Sequence, residues 1–175
     1  MLVAISLGCR PNPSVPPTAT PPVPANTAGA SPSPTTARVD QTAPPPTLSA
    51  IRPLTIRRRD GATVVIQVEL ATTPNEQATG LSGRTSLATD HGMLFVFPND
   101  SRTEFWMRGT TIPLSIAFIQ ADGRIVDLQD MQPLTDDRHA PPSPIRYALE
   151  ANQGYFAAHG IATGDTVDVA NVATR

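Results

Sequence analysis

Two strand-length runs restrict what this chain can fold into more than any other feature of it. Residues 92–97 read "GMLFVF" and residues 114–119 read "LSIAFI". Neither alternates apolar with polar, as a strand with one wet face does. Both are apolar on each face, which is how strands buried from both sides read. The segments around them are short as well. "LTIRRR" and "ATVVIQVEL" flank Asp60-Gly61, a strong hairpin-turn signal, and Val64, Ile66, Val68 and Leu70 alternate with Val65, Gln67 and Glu69. "IQADGRIVDL" predicts a second hairpin closed at Asp122-Gly123. "PIRYALE" (144–150) reads as a further strand, and "GDTVDVA" (164–170) as a turn and a last strand. Two short helices complete the set. Thr73 is the expected N-cap of the first, with Pro74 as its first helical residue, Glu76 as the capping-box partner and Gly80 as a stop. "ANQGYFAAHG" is the second. About seven strands with two short helices predict a mainly β (α+β) domain, a closed or nearly closed, barrel-like sheet with helices at its rim.

Upstream the material changes. Residues 10–52 hold 12 of the 20 prolines, and Arg10, Arg38, Asp40 and Arg52 are their only charges. No hydrophobic period there could bury a face and offset the entropy of ordering, so this segment is expected to be a disordered, semi-stiff spacer. At about 3.1 Å per residue its reach is on the order of 130 Å. The chain therefore divides into residues 1–9, a linker over 10–52 and a β-rich domain over 53–175. The first nine residues, "MLVAISLGC", end an apolar run in Gly8-Cys9 and resemble the lipobox of bacterial lipoproteins. That resemblance implies cleavage before Cys9, a diacylglycerol thioether on its sulfur, and a lipid-anchored protein of the cell envelope with the membrane as a partner. Ser6 stands where leucine is usual, and no basic segment precedes the short apolar run. A translation start placed downstream of the true one accounts for both absences. Cys9 is also the only cysteine, so no intramolecular disulfide is expected.

Charge excludes little but points away from nucleic acid. All 13 basic residues are arginines and the formal charge is −2, with Arg57-Arg58-Arg59 the only basic run, read as a solvated strand end. His91, His139 and His159 form no metal-ligand spacing, and no nucleotide or dinucleotide fingerprint is present, so neither a metal nor a cofactor is expected. Asp136, Asp137 and His139 fall in the proline-rich "TDDRHAPPSP", read as an exposed loop tip.

The candidate site centres on "FWMRGTTIPLSIAFI" (105–119). On a strand, Phe105 and Met107 share one face, the expected core, while Trp106 and Arg108 share the other. Trp106 is expected to be mostly buried, with one edge lining a shallow pocket near Arg84. Arg84 follows Gly80-Leu81-Ser82-Gly83, where glycine permits close backbone approach. Its guanidinium either pins that loop through an internal ion pair, with Glu150 or Asp165 as the expected partner, or grips a ligand's carboxylate or phosphate. Arg84, Trp106, Arg108, Thr110 and Glu150 are thus the candidate ligand-binding residues, for an unknown small molecule or envelope protein. A binding or accessory module is the leading expectation. The alternative is a hydrolase-like enzyme drawing an acid–base pair from Glu76, Asp90, His91, Glu104, Glu150 and Asp165, which convergence of two of these in one pocket would favour.

Three blocks, "ELATTPNEQATGLSGRTSLATDHGMLFVF", "FWMRGTTIPLSIAFIQADGRIV" and "YALEANQGYFAAHGIATGDTV", resemble the bacterial and archaeal domain of unknown function 192. The resemblance covers about residues 63–168 and implies a compact β-rich domain, often behind a secretion or lipoprotein signal. It brings no activity, substrate or cofactor. Gly109 stands where that family usually has asparagine, Ser115 where it has aspartate and Tyr155 where tryptophan is common.

Overall fold

A computed structural model describes residues 50–170; residues 1–49, with Cys9 and most of the proline-rich linker, and residues 171–175 lie outside the described part. The strands are β1 (Arg52–Arg57), β2 (Thr63–Ala71), β3 (His91–Ser101), β4 (Leu114–Ile119), β5 (Ile125–Met131), β6 (Ile145–Asn152) and β7 (Thr166–Val167). They form one sheet in the spatial order β5-β4-β6-β3-β2-β1-β7. Neighbours are antiparallel except β2 and β3, which run parallel. A parallel neighbour needs a long return connection rather than a hairpin. Residues 72–90 supply it, carrying α1 (Pro74–Thr79), while α2 (Tyr155–Ala158) follows β6.

The sheet curls until its two edges touch at one end. Arg124, just before β5, bridges Thr166 of β7. The Ile125 amide donates to the Asp165 carbonyl at 2.9 Å, and the Val167 amide donates to the Gly123 carbonyl at 2.8 Å. The approach is close enough that a Cβ on Gly123, whose φ is 86°, would stand 2.3 Å from the Val167 carbonyl oxygen. Only glycine fits there. The domain is mainly β with a curled, nearly closed sheet, as the strand pattern predicts.

Two apolar cores lie on opposite faces of the central strands. The enclosed face collects Leu54, Ile66, Leu94, Ile119, Leu149 and Val167, with Tyr155 and Phe156 of α2. Contributions from β1 and β7 at one edge and from Ile125 at the other mark it as the inside of the curl. The outer face of β3, β4 and β6 carries Met93, Phe95, Phe97, Ile116, Phe118 and Ala148. It is covered by Leu81, Phe105, Met107 and Ile112 from the connections. This is why 92–97 and 114–119 are apolar throughout: their even and odd positions feed different cores. All six residues of β4 are buried.

Local signals act as expected. The Thr73 hydroxyl accepts from the Glu76 amide at 3.3 Å, and the Glu76 carboxylate accepts from the Thr73 and Thr72 amides at 2.8 Å. Those backbone donors hold the Glu76 carboxyl below the usual range. The first hairpin closes through Arg58–Ala62, with the Arg58 amide 2.8 Å from the Ala62 carbonyl. Two readings shift. The last strand is two residues long, and 103–108 makes one bridge, Phe105 to His139, rather than a strand. The loop around His139 therefore docks instead of waving free. Its amide and carbonyl pair with Phe105 at 2.9 Å in each direction, and its Nδ1 lies 2.9 Å from the Gln129 side-chain oxygen.

Candidate functional site

A cleft of about 310 Å³ opens over the outer core, between the end of α1 and the 103–110 segment. That volume is at the small end of ordinary ligand pockets. Phe95, Phe97, Phe105, Trp106 and Leu81 supply its apolar lining, and Glu104, Arg108, Thr110 and Glu150 are among its polar groups. The aromatic rings hold one another edge to face: Phe105 meets Phe95 at 85° with centroids 5.2 Å apart, and Phe118 at 60° with centroids 5.9 Å apart. Such contacts fix ring positions as well as burying area.

Its two rims are tied together by backbone. The Gly83 amide donates to the Gly109 carbonyl at 3.0 Å, the Ser82 hydroxyl reaches the same oxygen at 3.1 Å, and the Thr111 hydroxyl donates to the Arg84 carbonyl at 2.9 Å. Gly109 has φ 74°, and a Cβ there would stand 2.8 Å from the Ser82 hydroxyl. Asparagine, the usual residue of the resembled family, is the side chain that best tolerates this left-handed conformation after glycine. Gly109 thus keeps the turn. On the other face of β4, Ser115 donates to Asp130 and accepts from the Gly154 amide at 2.9 Å, a bracing role at the start of α2.

Glu150 is the chemically unusual group of the cleft. It sits on β6 between Met93 of β3 and Ile116 of β4, and its side chain shares the outer face with them. Only 6% of its surface is exposed, and that surface opens on the cleft. Its carboxyl has no hydrogen-bond or ion-pair partner among the described residues. Burial alone pushes its pKa up to about 8, so at neutral pH the group is a carboxylic acid. A buried polar group without a partner is expensive, which is why such groups mark functional places.

The candidate residues fall as follows. Trp106, Arg108, Thr110 and Glu150 line the one cleft, and Arg84 does not. Arg84 instead forms a bidentate pair with Glu69, both N–O distances being 2.6 Å. Its internal partner is neither Glu150 nor Asp165, and the reason is lateral order. Glu69, Met93 and Glu150 lie in register across β2, β3 and β6, and the loop leaving α1 reaches the β2 carboxylate. Asp165 is at the closure of the sheet, accepting from the Arg59 and Ala162 amides at 2.9 and 2.8 Å. Trp106 is 46% exposed, not mostly buried, with the Arg138 guanidinium 4.5 Å from its ring centroid. Phe105 and Met107 are core as expected. Arg108 is solvent-exposed and paired to Asp136 at 2.8 Å.

Among the acid–base candidates, Glu104 and Glu150 both line the cleft. Glu76 caps a helix, Asp165 caps a turn, and Asp90 lies 4.0 Å from His159 near Tyr155. His91 opens β3 with its Nδ1 unpartnered. No group of three or more metal-ligating side chains comes together among the described residues. Sequence reasoning missed the wall formed by Phe97 and the last turn of α1. The predicted stop at Gly80 was the only signal, and it says where the helix ends rather than what it faces.

A curled sheet with a nearly buried acid in an aromatic-lined cleft defines a β domain with a candidate ligand site. The family model of DUF192, described as an uncharacterized ACR, matches residues 55–169, and the chain belongs to that family. It is 37% identical to a protein of unknown function from Novosphingobium aromaticivorans, with 67% of this chain and 84% of that one covered and a TM-score of 0.65. It is 32% identical to a protein of Sinorhizobium meliloti provisionally described as a transcription regulator, with 69% and 95% covered and a TM-score of 0.68. No curated protein matches the chain.

Proposed function

We propose that this protein is a small-ligand-binding module of the cell envelope, held to a membrane through lipid on Cys9 and displaying its cleft at the end of the proline-rich spacer. The observation that carries the binding reading is the Glu150 carboxyl, nearly buried, without a partner and opening on an aromatic-lined cleft. A group kept that way lacks a bond that a ligand can make. Nucleic acid is a poorer fit for the partner, whatever the Sinorhizobium neighbour does. Six of the ten described arginines, Arg57, Arg58, Arg59, Arg84, Arg108 and Arg146, face carboxylates within 4.0 Å, and the formal charge of the chain is −2, a poor basis for gripping phosphates.

Trp106 is the only tryptophan of the chain and lines the cleft, so its fluorescence reports on that place alone. Titrating the protein with the low-molecular-weight fraction of a bacterial envelope extract should give a saturable change in that emission. The change should vanish in Thr110→Val and Glu150→Leu variants that remain folded. An equal response in those variants would place binding elsewhere.

One observation favours a second reading. Glu104 and Glu150 line the same cleft, one exposed and the other kept protonated at neutral pH. A pair with such unequal surroundings can divide the roles of general base and general acid. Turnover of any envelope ester or glycoside that stops in both Glu104→Gln and Glu150→Gln would move the protein from binder to hydrolase.

A further inference from the structure

The cleft also carries a signature of charge. Glu104 and Arg108 are the other ionisable residues lining it, and Arg108 is committed to Asp136 at the rim. Its uncommitted groups are therefore two carboxyls, set among four aromatic side chains, with Thr110 buried beside them. Rings with negative faces and a carboxylate make a favourable lining for an organic cation. The fold already uses one of these rings that way, since Arg138 sits over Trp106. An anion would meet Glu104 and Glu150, and the one cation in the lining, Arg108, is already paired to Asp136. A neutral ligand would satisfy the hydrogen bond of Glu150 but leave the acidic bias unused.

We propose that the cleft binds a compact primary amine as its ammonium ion, with Glu150 as the counter-ion and the aromatic rings around its apolar body. This rests on the small-ligand reading above. The entering cation ionises Glu150, so the carboxyl gives up its proton to solvent as the ion pair forms. The group is an acid at neutral pH when the cleft is empty, and binding is therefore coupled to proton release. Glu104, exposed, is the second carboxyl in the lining.

Isothermal titration of the full-length protein with benzylamine tests this, with benzyl alcohol as the neutral counterpart of nearly the same shape. At pH 7, repeated in buffers of different ionisation enthalpy, the titration should show about one proton released per benzylamine bound, and about a tenfold gain in affinity from pH 6 to pH 7. Glu150→Gln should lose the proton release and most of the affinity. Benzyl alcohol should bind at least tenfold more weakly. Benzyl alcohol binding as tightly, or benzylamine binding with no proton released, would overturn the amine assignment while leaving the cleft a ligand site. Neither compound binding would overturn the amine assignment, and silence of Trp106 toward envelope extracts as well would remove the small-ligand reading beneath it.

Discussion

Replacing Glu150 with glutamine should make this protein more stable at neutral pH, although one buried polar side chain only takes the place of another. Glutamine has nearly the shape of a protonated glutamic acid, so the cleft need not rearrange. The difference lies in the proton. Unfolded, the Glu150 carboxyl titrates near its ordinary value of 4.5; folded, burial raises that to about 8. Between those values the folded state holds one proton more than the unfolded state, so stability falls as pH rises, by about 1.4 kcal/mol per pH unit. The contribution is fully present below about pH 4.5 and is lost progressively until the folded carboxyl itself ionises near pH 8. By pH 7 the loss amounts to about 3 kcal/mol, and Glu150→Gln has no such loss. For a domain of this size, that corresponds to a melting temperature on the order of 10 °C higher in the variant. Urea unfolding of both proteins at half-unit steps from pH 4.5 to 8 measures it directly. The two curves should meet at the acid end and diverge steadily above it. Parallel curves would refute the reasoning, because they would mean that folding moves no proton onto Glu150.

Trp106→Ala should cost less than about 1 kcal/mol, since half the ring is already in water, whereas Met107→Ala next to it should cost about 2–5 kcal/mol; chemical denaturation separates them. Arg84→Ala should lower stability by about 2 kcal/mol through the stranded Glu69 carboxylate, yet leave the Trp106 fluorescence titration unchanged, because Arg84 does not line the cleft. For the lipid anchor, the wild-type protein expressed in a bacterium should enter the detergent phase and take up labelled fatty acid, and Cys9→Ser should do neither; equal partitioning of both forms would end that reading.

Much of the sheet can be read in the chain because its signals are local. Asp60-Gly61 and Asp122-Gly123 dictate tight turns, Thr73 and Glu76 dictate where α1 begins, and alternation from Val64 to Leu70 separates the two faces of β2. The double-sided apolar runs go further, since they demand cover on both faces before any neighbour is known. What local signals leave open is lateral order. Nothing in residues 63–71 says that β2 lies parallel beside β3, and nothing in β7 says that it closes against the turn before β5. Trp106 shows the same limit at the site. Alternation puts it opposite Phe105 and Met107, but whether that second face is covered depends on which layer lies above it. Here Arg138 stacks on the ring, and solvent reaches the rest.

Lateral order also decides which carboxyl stays unpaired. Glu69 and Glu150 stand on the same face of the sheet with Met93 between them, and Arg84 is near enough in sequence and space to serve a carboxylate in that row. The fold spends its guanidinium on Glu69, the better hydrated of the two. Had Arg84 paired with Glu150, that carboxyl would be ionised, satisfied and bland, and the cleft would be a neutral pocket. With the pair at Glu69, Glu150 keeps its proton in a cleft that Phe95, Phe105 and Trp106 also line. A shift of two strands in the destination of one arginine is thus the difference between a satisfied brace and a buried acid left without a partner, and no periodicity in the chain encodes it.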